Sequence, residues 1–192
     1  MIKKIFSILV LCSSVLFAQS EAKGLFMALS IGPRVPVSGF AVSRNLGVGV
    51  DLGFSYTDIT VLPVFIYSKI GFMHFPGKQD YYRTSDYSSI STNLYTFNPG
   101  IRLYLEPITK EIVLLMPVLD MGAAVTYSQT FHYFKVDTNK GSYAENKFNF
   151  GFHFGVGVSM FMLDAMAYYN YVPSAQYLAF DLSIRIPIFA SM

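Results

Sequence analysis

The segment from residue 147 to residue 162 alternates between two kinds of side chain. Its even positions are large and apolar, namely Phe148, Phe150, Phe152, Phe154, Val156, Val158, Met160 and Met162. The odd positions up to Ser159 are small or polar, namely Lys147, Asn149, Gly151, His153, Gly155, Gly157 and Ser159. A period of two predicts a β-strand with two unlike faces.

The same period recurs along the chain and, with the segment above, predicts eight strands. Strong alternation marks residues 46–57, 93–106, 113–129 and 177–189, and weaker alternation marks residues 25–32, 61–72 and 164–172. Most of these segments are near the length of about 9–11 residues that a tilted strand needs to cross a bilayer.

The predicted connections differ between the two ends of the strands. Those after the odd-numbered strands are residues 33–45, 73–92, 132–146 and 173–176. Those after the even-numbered strands are the short segments 58–60, 107–112 and 163. Three long loops at one end and tight turns at the other are typical of bacterial outer-membrane barrels, in which the long loops are extracellular.

The polar faces of the strands carry repeated glycine. Strands that face solvent usually carry Lys, Glu or Thr, whereas glycine weakens a strand. Glycine fits the concave face of a narrow barrel better, because eight strands leave only enough room for side chains to fill the interior. We therefore expect the apolar face of residues 148–162 to point to lipid, and Gly151, His153 and Gly155 to point to the lumen.

The N-terminus has the pattern of a secretory signal peptide. Lys3 and Lys4 precede the apolar residues 5–17, and Ala18-Gln19-Ser20 offers small residues for cleavage. We expect residues 1–20 to be removed, which leaves one domain over residues 21–192. Removal takes away Cys12, the only cysteine, and lowers the formal charge from +2 to 0. A disulfide, a thiolate metal site and a general attraction to nucleic acid are therefore not expected.

The composition narrows the class of protein further. The chain is 53% hydrophobic and 14% charged, yet after the signal it has no uninterrupted apolar run of about 18 residues. Only helices and closed barrels satisfy the backbone in lipid. The remaining classes are a membrane barrel and a soluble β-protein with an unusually apolar interior.

The chain resembles the small eight-stranded outer-membrane barrels of the OmpA/OmpX type and the broader outer-membrane β-barrel domain family. The resemblance rests on the export signal, on strands such as Gly47-Val48-Gly49 and Gly155-Val156-Gly157, and on the last strand, 177–189. It covers nearly the whole mature chain. It implies an all-β, up-and-down antiparallel transmembrane barrel in the cell outer membrane, whose partners are outer-membrane lipid and, through the last strand, the barrel-assembly machinery. Pro187 and residues 190–192 depart from the family's terminal pattern.

Alternation places six charged side chains at mid-strand positions inside the barrel. They are Asp51, Lys69, Arg102, Asp120, Asp181 and Arg185. Because buried charges need partners, three acids and three bases predict an ion-pair network that plugs the lumen. A pore lined by one sign of charge would instead indicate ion selectivity.

The loop predicted at residues 73–92 is the main candidate for recognition. It mixes serine with tyrosine, a combination that makes adaptable contact surfaces. The candidate recognition residues are Tyr81, Tyr82, Arg83 and Tyr87.

Catalysis and metal binding are not expected. His132 lies beside Ser128 on one predicted face, but the His-x-Ser arrangement of lipid A deacylase barrels does not occur after any of the three histidines. Residues 137–145 begin like a calcium loop, but Gly141 and the terminal acid are misplaced. No cofactor is expected.

The sequence thus favours a structural or surface-interaction role through long extracellular loops. Three alternatives remain open: a narrow pore, a lipid-modifying outer-membrane enzyme, and a soluble periplasmic barrel that binds a lipid.

Overall fold

The structure is a computed structural model that describes residues 23–58, 62–108, 115–136 and 140–191. Its strands are β1 (Lys23–Pro36), β2 (Gly47–Asp58), β3 (Leu62–Phe75), β4 (Tyr87–Tyr104), β5 (Leu115–Phe134), β6 (Tyr143–Met160), β7 (Leu163–Tyr171) and β8 (Tyr177–Ser191). Two short helices, α1 (Phe40–Ser43) and α2 (Gln79–Thr84), lie in the first two long connections. The expected signal peptide lies outside the described residues.

The eight strands form one closed antiparallel barrel. Each strand pairs with its neighbours in the chain, and β1 pairs with β8 to close the ring. Closure gives the backbone groups of the first and last strands partners and removes the exposed edges of an open sheet. The predicted fold class is therefore confirmed. We call the end with the β1–β2, β3–β4, β5–β6 and β7–β8 connections the loop end, and the opposite end the turn end.

The predicted assignment of faces is also confirmed. Phe148, Phe150 and Phe152 are 59%, 68% and 54% exposed on the outside of the barrel, whereas His153 is 2% exposed inside it. A soluble lipid-binding barrel would require the opposite arrangement, with apolar side chains around an internal cavity. In the part of the chain that the structure describes, no helix is both long enough and apolar enough to span a membrane.

The strand boundaries differ from the prediction at the loop end. The strands β1, β3 and β5 run further than expected, and β4 and β6 begin earlier, so the predicted loops 33–45, 73–92 and 132–146 are shortened to 37–46, 76–86 and 135–142. Tyr87 therefore lies on β4 and not in a loop. At the turn end, β4 stops at Tyr104, although hydrogen bonds from Leu105 to Pro117 and from Ile108 to Leu115 continue its contact with β5.

Two prolines each interrupt one ladder of the barrel without changing its register. Pairing of β1 with β8 stops at Ile31 and resumes at Arg34, on either side of Pro33. Pairing of β4 with β5 stops at Phe97 and resumes where Gly100 faces Gly122, on either side of Pro99. Proline has no N–H to donate to a ladder. The predicted first strand, 25–32, ends before Pro33, whereas the structure continues through it.

Close packing at Gly122 generates a test of the fold. A Cβ atom there would lie 2.1 Å from the carbonyl oxygen of Pro99 and 2.8 Å from Cε1 of His153. Because backbone would have to move, Gly122→Ala is expected to lower the free energy of unfolding by about 1–3 kcal/mol. The measurement is urea unfolding of the protein folded in lipid vesicles. Gly141→Ala, whose Cβ would meet nothing within 4 Å, is the matched control. Equal stability of the two variants would contradict the packing described.

Candidate functional site

Two clusters of buried ion pairs occupy the lumen. In the cluster nearer the loop end, Arg34 bridges two carboxylates from different strands. Its Nη2 lies 2.6 Å from Oδ2 of Asp51 on β2, and its Nη1 lies 2.6 Å from Oδ1 of Asp181 on β8. All three side chains are at most 5% exposed. The cluster therefore ties β1 to both of its neighbours from inside the barrel.

The cluster nearer the turn end centres on Arg102. This side chain donates from Nε and Nη2 to the two carboxylate oxygens of Asp120, each at 2.7 Å, and from Nη1 to Asp164 at 2.9 Å. The hydroxyl of Tyr168 donates to Asp120 at 2.6 Å. Arg185 pairs with the other oxygen of Asp164. These contacts connect β4 and β5 to β7 and β8 across the barrel.

Lys69 lies between the two clusters but forms a different contact from the predicted ion pair. Its Nζ sits 3.5 Å from the ring centroid of Tyr168, and no ion pair of this lysine occurs among the described residues. A cation above an aromatic face is attracted by the ring quadrupole. Lys69 is therefore held in the lumen by an aromatic ring, with the clusters of Asp51 and Asp120 on either side.

Two members of these clusters are absent from the set that the sequence predicts. Arg34 falls in a predicted loop, because the Gly32-Pro33 step ends the predicted strand. Asp164 stands at the first position of its predicted strand and does not count as a mid-strand charge. The other predicted charges lie in the lumen, and the structure supplies the pairs that the sequence leaves open.

A buried histidine compensates for the ladder gap at Pro99. By the register on either side of the gap, Pro99 stands opposite Ala123. Nδ1 of His153 lies 3.1 Å from the carbonyl oxygen of Ala123, which can only accept, so Nδ1 carries a proton. Nε2 forms a hydrogen bond with the hydroxyl of Tyr67, 2.5 Å away. His153 is thus a polar lumen residue with a structural role, and the sequence predicts its place in the lumen.

An apolar layer lies between the Arg34 cluster and the loop end. It is built from buried Met73, Phe75, Leu94 and Tyr177, with Phe40 of α1 packed on it. The rings of Phe40 and Phe75 meet edge to face at 5.0 Å. Below this layer, two cavities of about 20 and 10 Å³ lie beside Lys69. A cavity needs about 10–15 Å³ to hold one water molecule, so each has room for little more than one.

The outer surface changes from aromatic to polar along a line across four strands. Phe72, Tyr95, Tyr127 and Phe148 point outward in register with one another. Two positions nearer the loop end, the row in register consists of His74, Asn93, Gln129 and Asn146. Between Leu115 and Tyr127, the outward positions of β5 carry only apolar residues. We call the row of Phe72, Tyr95, Tyr127 and Phe148 the aromatic border.

Beyond the aromatic border, β4, β5 and β6 continue as a three-stranded extension of the barrel wall. Its inner face carries aromatic rings in stacked contact. The ring centroid of Tyr87 lies 5.8 Å from that of Tyr81 and 4.7 Å from that of Phe134, and that of His132 lies 4.5 Å from that of Tyr143. The sequence does not predict this strand extension, although it marks the Tyr-rich segment on one side of it.

The four predicted recognition residues lie in different environments. Tyr81 and Tyr87 belong to the stacked rings of the extension. The hydroxyl of Tyr82 donates to the carbonyl of Ile90 and accepts from its N–H, so this residue fixes the start of β4. Arg83 is exposed on α2. The structure therefore brings two of the four together and adds His132, Phe134 and Tyr143 to them.

Charged groups at the loop end are mostly exposed, with one exception. Asp86 and Lys140 form a surface pair at 2.6 Å, and this contact lowers the pKa of Asp86 and raises that of Lys140. Arg44, which follows α1, is buried instead, and burial lowers its pKa. Its Nε donates to Oγ1 of Thr92 at 2.7 Å on the inner wall of the extension.

The Ser128 and His132 pair does not have the geometry of a nucleophile and its base. Oγ of Ser128 donates to the carbonyl of Lys147 at 3.2 Å, while Nδ1 of His132 lies 3.3 Å from the hydroxyl of Tyr87. A base must lie within hydrogen-bond reach of the proton that it removes. Over the described ranges, no group of three or more His, Cys, Asp or Glu side chains is placed to hold a metal ion.

Comparison with known proteins shows likeness in structure. No model of a protein family matches the chain, and no curated protein sequence matches it. The chain is similar to Neisserial surface protein A (NspA), with a TM-score of 0.58 and 14% identity over 87% of this chain and 99% of that one. Ail, the attachment invasion locus protein of Yersinia pestis, matches with a TM-score of 0.48 and 11% identity over 88% of this chain and 100% of that one. Ail in complex with the heparin analogue sucrose octasulfate matches with a TM-score of 0.47 and 9% identity over the same shares.

The fold is therefore that of the small eight-stranded outer-membrane β-barrels. Among these three structures, that of NspA has a TM-score above one half. The resemblance indicated by the Gly-x-Gly strands and the last strand is confirmed at the level of fold.

The Arg34 cluster generates a prediction about stability. Removing one partner of a buried ion pair leaves an uncompensated charge, which costs about 3–5 kcal/mol. Arg34→Met is therefore expected to lower the free energy of unfolding by about that amount, as measured by urea titration in vesicles. Lys140→Met, which breaks the exposed pair with Asp86, should change stability little. If the two substitutions had equal effects, the Arg34 cluster would not stabilise the barrel.

Proposed function

We propose that this protein is a non-catalytic outer-membrane barrel whose lumen is closed and whose loop end forms an interaction surface outside the cell. The observation that carries the proposal is the change at the aromatic border, where outward aromatic rings give way to a polar row. Aromatic girdles at the edges of an apolar band are the mark of barrels that cross a membrane.

The height of the apolar surface supports this location. Residues 115–127 of β5 rise about 40 Å along the strand, or about 30 Å along the barrel axis at a tilt of about 40°. The hydrocarbon core of a bilayer is about 30 Å thick, and the outward band of such barrels is about 25 Å tall. The extension of β4, β5 and β6 then stands clear of the lipid, with its stacked rings in water.

The interior supports a closed lumen. The two ion clusters and the apolar layer of Met73, Phe75 and Leu94 lie in series along the axis, and the cavities beside Lys69 are no larger than about 20 Å³. A narrow pore would require a continuous hydrated path. The loop end therefore carries the proposed interaction role. Lipid surrounds the wall of the barrel, and the barrel-assembly machinery is the partner of β8 during insertion.

Location and orientation can be tested with introduced cysteines. Gly141→Cys lies at the loop end and Glu106→Cys lies beyond β4 at the turn end, and both positions are exposed. We expect an impermeant maleimide to label Gly141→Cys on intact cells, and Glu106→Cys only after the outer membrane is permeabilised. The wild-type protein controls for Cys12. Labelling of both variants only in the periplasmic fraction would contradict the proposal, and the reverse pattern would invert the orientation.

A separate measurement tests the closed lumen. The purified protein, reconstituted in a planar bilayer, is expected to pass no more current than the bare bilayer, because the clusters and the apolar layer block the axis. Insertion is checked by the difference in gel mobility between boiled and unboiled samples. Discrete conductance steps from correctly inserted protein would favour the narrow pore instead.

A further inference from the structure

The smaller of the two lumen cavities lies between Lys69 and the Arg34 cluster. Its volume is about 10 Å³, and its walls include Lys69, Arg34, Asn98 and Asp181. These polar side chains come from four strands, β3, β1, β4 and β8. We call it the lysine cavity. A polar cavity of about 10–15 Å³ holds one water molecule if two to four polar groups around it can bind that water.

Lys69 is a buried cation whose N–H groups have no acceptor within the described part of the chain. The residue is 9% exposed, and its Nζ lies over the rings of Tyr168 and Tyr67, at 3.5 and 5.8 Å from their centroids. Neither a hydrogen bond nor an ion pair of this lysine occurs among the described residues. An ammonium group has three donors, and burying them without acceptors is costly. Lys69 therefore needs an acceptor that the chain does not supply.

Three other residues of the lysine cavity each have a buried polar atom without a hydrogen-bond partner among the described residues. These atoms are the donor Nε of Arg34 and the acceptors Oδ1 of Asn98 and Oδ1 of Asp181. The three residues are at most 5% exposed. Oδ1 of Asp181 lies 2.6 Å from Nη1 of Arg34, but that ion pair lacks hydrogen-bond geometry. Unpartnered buried polar atoms in one cavity are independent signs of the same ligand.

The sheet register explains why these four side chains meet. Lys69 on β3 stands directly opposite Asn98 on β4, and both point into the lumen. Opposite residues on one face of an antiparallel pair have Cβ atoms about 4.5–5.5 Å apart, so both side chains reach the same cavity. Arg34 and Asp181 come from β1 and β8, which also pair with each other. Two pairs of neighbouring strands thus supply the polar groups.

The balance of donors and acceptors identifies the ligand as a neutral molecule. Lys69 and Arg34 offer donors, whereas Asn98 and Asp181 offer acceptors. An anion would face the two acceptor oxygens, and a cation would face the two positive side chains. The eight buried charges of the lumen already cancel, so a further ion would leave one charge unbalanced. Water accepts two hydrogen bonds and donates two, which matches this set. In the larger cavity, the unpartnered buried atom is the donor Nε of Arg185, without an unpartnered acceptor in the described part of the chain.

We propose that the lysine cavity binds one structural water molecule, which joins Lys69 to the Arg34 cluster. The water accepts from Nζ of Lys69 and Nε of Arg34, and it donates to Oδ1 of Asn98 and Oδ1 of Asp181. A water bridge is nearly as favourable as a direct hydrogen bond. The Arg34 cluster holds two carboxylates and one guanidinium, so the bridge sets the charge of Lys69 against its excess negative charge. The same water ties β3 to β1, β4 and β8.

The ligand can be identified in crystals of the whole protein grown with bromide in place of chloride. We expect one density peak in the lysine cavity, at hydrogen-bond distance from Nζ of Lys69, without the anomalous signal of bromide. An anomalous signal at this peak would show an anion site and would overturn the proposal. A cavity without a peak would also overturn it, as would an ammonium group of Lys69 in direct contact with Asp181.

A pair of variants tests what the water contributes to the barrel. Asn98→Leu removes one acceptor and leaves the water with an unused donor. We expect it to lower the ratio of folded to unfolded protein about tenfold, as measured by urea titration in vesicles. Asn146→Leu makes the same change at an exposed outer position and should alter the ratio about twofold or less. Equal ratios for the two variants would count against the water bridge.

The crystal of the wild-type protein keeps the proposal testable if Asn98→Leu does not fold. Neither measurement depends on the surface role of the loop end. A cavity without a water peak would refute the bridge and leave the surface location intact, whereas labelling of the cysteine variants only in the periplasmic fraction would refute the location and leave the bridge intact.

Discussion

The pairing of charges across the lumen is the constraint on which the rest of this structure depends. A barrel that turns its apolar side chains outward must place its polar side chains inside, where eight strands leave little room for water. Four bases and four acids meet there: Arg34, Lys69, Arg102, Arg185, Asp51, Asp120, Asp164 and Asp181. Their equal numbers offset the desolvation that each charge suffers. Because Arg34 and Arg102 each contact carboxylates on different strands, the same contacts also fix the cross-section of the barrel.

Glycine inside the barrel makes room for these long side chains. A Cβ at Gly49 would lie 2.7 Å from Nε of Arg34, and one at Gly155 would lie 2.3 Å from the ring of Tyr168. Small residues therefore stand beside particular large ones. A glycine also makes room at the ladder gap at Pro99, because the absence of a side chain at Gly122 lets His153 reach the carbonyl of Ala123. The glycine-rich face that marks the inner side of the strands in the sequence is thus the complement of the charged and aromatic groups packed over it.

Sequence periodicity is sufficient to predict the number of strands, the face of each strand that points outward and the closure of the barrel. A period of two is a local property, and the difference between Phe152 outside and His153 inside is visible in adjacent residues. The loop boundaries are not accessible in this way, because β4 begins beyond the aromatic border with the polar outward residues Ser89, Ser91 and Asn93, which are typical of loops. Arg34 escapes prediction because proline usually ends a strand, and only the closed ring shows that Pro33 interrupts one ladder while the other continues. Partners such as Arg34 with Asp181 join the two ends of the chain, which no local pattern can indicate.

The extension beyond the aromatic border has a strand edge and an inner face, and the two carry different side chains. On the side of β7, pairing of β6 begins at Phe152, so residues 143–151 have no paired strand on that side in the part of the chain that the structure describes. Glu145 and Lys147 place charges along that edge, and charged edges resist pairing with other strands. The inner face instead carries the stacked rings and the contact of Arg44 with Thr92. Arg34, Arg102 and Arg185, the buried arginines of the lumen, each have a carboxylate from this chain, whereas Arg44 has none among the described residues. The lumen arginines thus join strands through carboxylates, whereas Arg44 holds the end of α1 to the wall through hydrogen bonds to Thr92 and Ser43.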